Sequence, residues 1–326
     1  MDFNPVYFTN KLIEAALDRN ASDIHFHPRK DSAALTLRID GTLQDFDQVP
    51  LDLFQAVVNR LKIMSNLGSN INNLPQDGRL EYFYKDYKRD LRISIIPSLF
   101  GESIVIRILM IKSAIPKLEN LGMSESLLNS TREILGLKEG LVLSTGPTGS
   151  GKTTTMYALL QTVFESNPNI HVISIEDPIE YQFPEFTQIQ VNDNIGLTFP
   201  AVLRAVLRHD PDIILVGEIR DRETAEIAIR AALTGHLVFA TMHTNDANST
   251  INRFLEFKIN PALLADSLKA IYNQRLEKEP CKNCQGTGCD RCHYTGFFGR
   301  KGAYELLIID ENKKQELLLP LNSNYC

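Results

Sequence analysis

Gly146-Pro147-Thr148-Gly149-Ser150-Gly151-Lys152-Thr153 stands between the apolar run Leu141-Val142-Leu143 and a helix-forming stretch, Thr154-Thr155-Met156-Tyr157-Ala158-Leu159-Leu160. The spacing G-x-x-x-x-G-K-T between a strand and a helix is that of a phosphate-binding loop. Backbone N–H groups of such a loop, with the helix N-terminus behind them, hold phosphate oxygens. Lys152 is expected to reach the β- and γ-phosphates, Thr153 to offer its hydroxyl to Mg²⁺, and Thr154 to complete the nucleotide-binding segment. The alternative is a Gly-rich turn that matches by chance. Three glycines and the Lys-Thr pair, all in place after a strand, weigh against it. A nucleoside triphosphate is the expected ligand.

Three further apolar runs follow. Ile170-His171-Val172-Ile173-Ser174-Ile175 ends in Glu176-Asp177-Pro178, Asp212-Ile213-Ile214-Leu215-Val216 ends in Gly217-Glu218, and Leu237-Val238-Phe239-Ala240-Thr241-Met242 ends in His243. Short apolar runs separated by helical patterns imply a parallel sheet covered on both faces. Ligands of such sheets bind beyond the carboxyl ends of the strands. The loop, Glu176, Glu218 and His243 are therefore expected to converge on the phosphates. Phosphoryl transfer to water needs charge neutralisation, Mg²⁺ and a group that orients the water. Glu218 is the first choice for that group, against the plainer reading of a solvated strand-end acid. Most P-loop enzymes carry an Asp one residue earlier, where this chain has Gly217. Metal binding is then expected to be shared by Thr153, Glu218, Glu176 and water. Glu176 or Asp177 could orient a metal-bound water, whereas His171 and His209 read as structural or surface residues.

These residues resemble the ATPases of type II secretion and type IV pilus assembly. The family's marks occur in order: the phosphate loop, the acidic box Ile175 to Tyr181, the segment Leu207 to Asp221 around Glu218, and the histidine box Thr234 to Asn245. Upstream, Ala21-Ser22-Asp23-Ile24-His25, Pro75-Gln76-Asp77-Gly78-Arg79 and Leu91-Arg92-Ile93-Ser94 resemble segments of the family's N-terminal domain. The resemblance implies a RecA-like α/β ATPase domain preceded by a smaller PAS-like α+β domain. It further implies a homohexamer that turns ATP hydrolysis into domain motion and works on a polytopic membrane platform protein, and through it on pilins. By the same resemblance, Arg79 and Arg92 approach the nucleotide on domain closure, with Arg107 a third candidate. Either arginine could instead make an ordinary surface salt bridge. His236 and His243 would sense the γ-phosphate or couple neighbouring sites, and a core-satisfied His236 is the alternative.

Composition agrees with this reading without deciding it. The chain has 326 residues, a prior for two domains, and 43% hydrophobic and 23% charged residues, as in ordinary globular proteins. Forty acidic against thirty-four basic residues argue against a broad nucleic-acid footprint, so no direct nucleic-acid contact is expected. Neither a membrane-spanning run nor a signal peptide is visible, so the expected place is the cytoplasm, at the inner face of the membrane. Residues 1–109 are expected to form the N-terminal domain, 110–118 the linker and 119–326 the ATPase domain. Within the first, Val6 to Leu17 and Leu51 to Met64 have helical periodicity, and Leu35 to Ile39 alternates before the hairpin turn Asp40-Gly41. Leu80 to Tyr84 and Leu91 to Ile96 predict a second hairpin around Asp86.

Cys281-x-x-Cys284-x4-Cys289-x-x-Cys292 gathers four of the five cysteines. Paired C-x-x-C elements predict a closed tetrahedral Zn²⁺ site, with Gly286 and Gly288 allowing the tight turn. Free thiols are the main alternative, disulfides are disfavoured in the cytoplasm, and His293 is a substitute ligand. Cys326 reads as a free thiol. No further domain is expected before the Ala21–His25 segment, and the chain ends soon after Tyr304-Glu305-Leu306-Leu307. This compact form resembles the competence-pilus ATPases that serve DNA uptake in Gram-positive bacteria. Retraction ATPases, which generally lack a tetracysteine segment, match less well. Rival functions are a nucleic-acid-translocating ring ATPase and a nucleotide-gated interaction protein with little turnover.

Overall fold

The computed structural model describes residues 4–85, 87–109, 115–292 and 294–318, apart from the side chains of Tyr87 and Leu109. The chain divides into two compact units, Met1–Ile111 and Lys112–Cys326. Of the linker expected at 110–118, residues 110–114 lie outside the described residues, as do Asp86, His293 and Cys326.

The first unit contains α1 (Pro5–Asp18), β1 (Asp23–Pro28), β2 (Ser32–Ile39), β3 (Thr42–Pro50), α2 (Leu51–Met64), β4 (Gln76–Tyr84), β5 (Tyr87–Ser98) and β6 (Gly101–Leu109). Asn4 starts α1 by accepting hydrogen bonds from the Val6 and Tyr7 N–H groups, and Pro5 supplies the fixed φ of the first turn. The strands form an antiparallel sheet in the order β3-β2-β1-β6-β5-β4 among the described residues. Asp40 and Gly41, both at positive φ (48° and 79°), make the tight turn that their sequence predicts. Leu12, Ile13 and Ala16 of α1 and Phe54, Val57, Val58 and Leu61 of α2 pack with the apolar residues of one sheet face. One member of α2 was not expected inside. Lys62 is fully buried, with Nζ donating to the Ile71 carbonyl (2.7 Å) and Asn72 Oδ1 (2.9 Å) and lying 2.8 Å from Glu102 Oε1. Three oxygens around one ammonium offset its desolvation, so the helix keeps a buried charge and ties down the loop before β4.

The second unit runs α3 (Glu125–Leu135), β7 (Gly140–Thr145), α4 (Lys152–Ser166), β8 (Val172–Glu176), β9 (Thr187–Gln190), α5 (Phe199–Val206), β10 (Ile213–Val216), α6 (Arg222–Leu233) and β11 (Leu237–Met242). It continues through α7 (Ala247–Glu256), α8 (Pro261–Ser267), β12 (Leu268–Pro280), β13 (Phe297–Ile308) and α9 (Glu311–Leu318). The sheet order is β13-β12-β7-β11-β10-β8-β9, parallel except for β13. Every residue of β7, β8, β10 and β11 is buried, which is why these strands read as unbroken apolar runs rather than alternations. Two apolar layers flank the sheet. One centres on α5, α6 and Phe254 of α7, the other on Met156, Tyr157, Leu159 and Leu160 of α4.

Candidate active site

The loop Gly146–Gly151 joins the carboxyl end of β7 to the N-terminus of α4, where unpaired N–H groups and the helix dipole favour an anion. Its glycines are required by geometry at two positions. Gly146 has φ 141°, and a Cβ there would lie 2.3 Å from the Gln274 carbonyl oxygen; Gly151, the residue before α4, is left-handed at φ 90°. Lys152 donates from Nζ to the carbonyls of Gly146 (2.8 Å) and Pro147 (3.0 Å) and stands 3.4 Å from His243 Nδ1. Burial pushes its pKa below the usual lysine value, with Glu218 and Glu180 acting the other way. Thr153 follows in the first turn of α4, and Thr154 Oγ1 pairs with the Tyr181 hydroxyl at 2.8 Å.

Glu218 lies just past β10 with a side chain only 14% exposed; its Oε2 is 3.7 Å from His243 Nε2, just past β11, and its Oε1 pairs with Arg220. Burial and then the Lys152 charge hold His243 below the ordinary histidine pKa, so the ring is neutral at pH 7. Lys152, His243 and Glu218 thus meet at the carboxyl ends of three adjacent strands. Gly217 explains why no acid precedes Glu218. A Cβ at 217 would come 2.9 Å from the Ile175 carbonyl and 3.2 Å from Glu176 Cα. The backbone of β8 occupies the space in which an Asp side chain would have to begin.

Two expected members are placed differently. Glu176 ends β8, is 2% exposed, and its Oε1 accepts from Tyr157 Oη (2.5 Å), Ser174 Oγ (2.6 Å) and Gln188 Nε2 (3.4 Å). Burial raises its pKa against the pull of these donors. Its partners belong to α4, β8 and β9 rather than to the phosphate loop, so the carboxylate clasps the helix to the sheet. His236 precedes β11, whereas the phosphate loop follows β7, which is parallel to β11. The two ends of a parallel strand open onto opposite edges of the sheet, and a six-residue strand separates them by roughly 20 Å. His236 is therefore remote from the Gly146–Gly151 loop of the same chain; its Nδ1 lies 3.0 Å from the Ala231 carbonyl oxygen.

Gln274 was missed in the sequence. It is 2% exposed on β12, accepts from Ser144 Oγ (3.0 Å) and donates to the Ser150 carbonyl (2.8 Å). It braces the phosphate loop from 124 residues away, and no local pattern announces it.

Arg79 and Arg92 belong to the first unit, where Arg79 (β4), Arg92 (β5), Arg107 (β6), Asp23 (β1) and Arg38 (β2) form one row across the sheet. The first three arginines, with Asp77, line a cavity of about 410 Å³. Asp23 holds Arg107 (Nε–Oδ1 3.0 Å) and lies 3.7 Å from Arg38 Nε, which explains the acid of the Ala21–His25 segment.

Cys281, Cys284, Cys289 and Cys292 come together between β12 and β13, their four sulfurs within 4.8 Å of one another. The Cys281–Cys289, Cys284–Cys292 and Cys289–Cys292 separations are 3.9, 3.7 and 3.8 Å. A tetrahedron with Zn–S bonds of about 2.3 Å has edges of about 3.8 Å, so the sulfurs fit a zinc ion and are too far apart for disulfides. The Gly288 and Cys289 N–H groups each donate to a sulfur at 3.2 Å, as suits thiolates. Among the described residues, no helix is long and apolar enough to cross a membrane.

Comparison with known proteins places this arrangement. A family model described as type II/IV secretion system protein matches residues 2–323. The type II secretion system protein HxcR of Pseudomonas aeruginosa is 44% identical over 310 residues, covering 93% of this chain and 66% of HxcR. The type IV pilus assembly ATPase PilB of Thermus thermophilus is 40% identical over 338 residues, covering 95% of this chain and 38% of PilB. The chain thus spans less than two thirds of the length of either curated relative. The crystal structure of the pilus retraction motor PilT with bound ADP matches with a TM-score of 0.65 and 31% identity, over 94% of this chain and 84% of that one. On this evidence the chain belongs to the type II/IV secretion system protein family.

Proposed function

We propose that this chain is a motor ATPase that binds Mg²⁺-ATP at Gly146–Thr154 and hydrolyses it to drive assembly of a type IV pilus or a secretion pseudopilus. The observation that carries this reading is the meeting of Lys152, His243 and Glu218 at the phosphate loop. Lys152 would neutralise the β- and γ-phosphates, Thr153 and Glu218 with water would hold Mg²⁺, and Glu218 would orient the attacking water. The metal so held would add charge neutralisation at the transferring phosphoryl group. The ADP in the PilT structure supports nucleotide binding at this fold.

Finer points rest on the family resemblance. The working form is a homohexamer, with residues 1–109 as a PAS-like domain joined by the 110–118 linker to the ATPase domain of residues 119–326. It acts at the cytoplasmic face of the membrane on a platform protein, and the competence branch, serving DNA uptake, is the assignment preferred. The tetracysteine segment favours assembly over retraction. ATPase assays with and without single-stranded DNA, and with a membrane platform protein, decide among the alternatives. Stimulation by DNA alone would replace this reading with a nucleic-acid motor. No turnover under any condition would leave a nucleotide-gated interaction protein.

Lys152→Ala is expected to weaken ATP affinity by about 10–100-fold, the worth of one charge-assisted hydrogen bond. Isothermal titration with a non-hydrolysable analogue measures it, and unchanged affinity would remove Lys152 from the phosphate site. Arg79→Ala and Arg92→Ala are each expected to lower kcat by roughly 10³-fold or more while ATP affinity changes little, because a guanidinium that meets transition-state charge contributes to turnover rather than to ground-state binding. If affinity falls with kcat unchanged, the arginines act in ground-state binding and the closure role is lost.

A further inference from the structure

Arg220 sits two residues beyond Glu218 and was assigned no role by the sequence. Its Nη2 pairs with Glu218 Oε1 and lies 3.9 Å from Asp177 Oδ2. Glu218 follows β10 and Asp177 follows β8, which are hydrogen-bonded neighbours, so one guanidinium spans two strand ends. The side chain is 57% exposed, and a charge pair that open to water contributes little to stability. Its consequence is geometric. With Oε1 taken by Arg220, the second oxygen of Glu218 faces His243, whose other ring nitrogen is 3.4 Å from Lys152 Nζ.

The backbone beneath Arg220 is fixed on both sides. Gly217 N–H donates to the Ile175 carbonyl (2.7 Å), Ile219 N–H donates to the Thr241 carbonyl (2.9 Å), and the Ile219 side chain is buried. Asp221 caps α6 by accepting from the Thr224 N–H at 2.8 Å. With the main chain held, the freedom left to Glu218 is rotation of its own side chain, and Arg220 opposes that rotation. We infer that Arg220 is a positioning residue for Glu218: it fixes which carboxylate oxygen faces the phosphate loop, so that the water-orienting oxygen is in place when nucleotide arrives. One nitrogen, Nη2, faces both carboxylates, so a lysine ammonium at its place would keep part of this hold.

This inference rests on the reading of Glu218 as the water-positioning group, and the experiment separates the two. Steady-state ATP hydrolysis and ADP affinity are measured for the full chain carrying Arg220→Ala, Arg220→Lys, Glu218→Gln, and Arg220→Ala with Glu218→Gln, the slow variants under single-turnover conditions with enzyme in excess. Arg220→Ala is expected to lower kcat about tenfold with KM and ADP affinity within about twofold, and Arg220→Lys to recover part of the loss. A group that acts only through Glu218 has nothing left to orient once Glu218 is gone. The double variant should therefore hydrolyse ATP no more slowly than Glu218→Gln alone. A parental or raised kcat for Arg220→Ala overturns the inference, as does a further tenfold loss in the double variant. A Glu218→Gln protein as fast as the parent would instead overturn the reading of Glu218, and this inference with it.

Discussion

Glu218→Gln is expected to bind ATP within about twofold of the parent and to hydrolyse it about 10²–10⁴ times more slowly, the usual worth of a group that positions or deprotonates a nucleophile. The substitution preserves shape and removes only the charge and basicity. The backbone of β8 crowds a side chain at position 217, which leaves Glu218 as the acid at the end of β10. Of the other acids at these strand ends with a claim to the role, Glu176 is 2% exposed and already accepts from Tyr157 and Ser174 at 2.5 and 2.6 Å, and Asp177 faces Arg220 at 3.9 Å. Single-turnover hydrolysis with parallel nucleotide titration checks the expectation. Parental hydrolysis in the Gln variant would pass the role to Glu176, and its clasp of α4 would then have to open during turnover.

Purified protein is expected to carry about one Zn²⁺ per chain, and removing it should unfold the 281–296 loop locally. Three sulfur separations of 3.7–3.9 Å, with all four sulfurs within 4.8 Å of one another, suit a closed tetrahedral site. Cys281 and Cys292 are 1% and 3% exposed, yet the residues between them bury no apolar side chain of their own, so a bound metal would supply the local folding energy. Apparent values for structural zinc sites are about 10–16 kcal/mol, which exceeds anything so short a loop could gain by packing. The loop follows the Gly146–Gly151 loop by more than a hundred residues in sequence, yet it is tied to the same sheet. It joins β12 to β13, and Gln274 of β12 braces the phosphate loop. Cys281 lies seven steps of extended chain beyond Gln274, roughly 23 Å, so chelation should cost much loop protection and little nucleotide affinity. Elemental analysis with hydrogen exchange tests this. Zinc-free protein with four freely titratable thiols would refute the site. Loss of ATP binding in Cys284→Ser would show that disorder travels along β12.

The features set by neighbours along the chain were legible. The phosphate loop, the helix Leu51–Met64, the Asp40-Gly41 turn and the C-x-x-C pairs each depend on residue types within a few positions of one another. The apolar runs ending in Glu176, Glu218 and His243 likewise announced parallel strands and the edge at which a ligand would sit. Side-chain fate at that edge was not legible in the same way. Whether an acid at a strand end meets water or a clasp depends on which helix covers it, and for Glu176 the cover is Tyr157 of α4. Gln274 reaches the phosphate loop because β12 is placed beside β7, and Arg220 reaches Asp177 because β10 is placed beside β8. Residue patterns along the chain account for the elements and point to phosphate chemistry. Strand order and packing, which join residues as far apart as Ser144 and Gln274, decided which of its polar groups stand at the site and which hold it up.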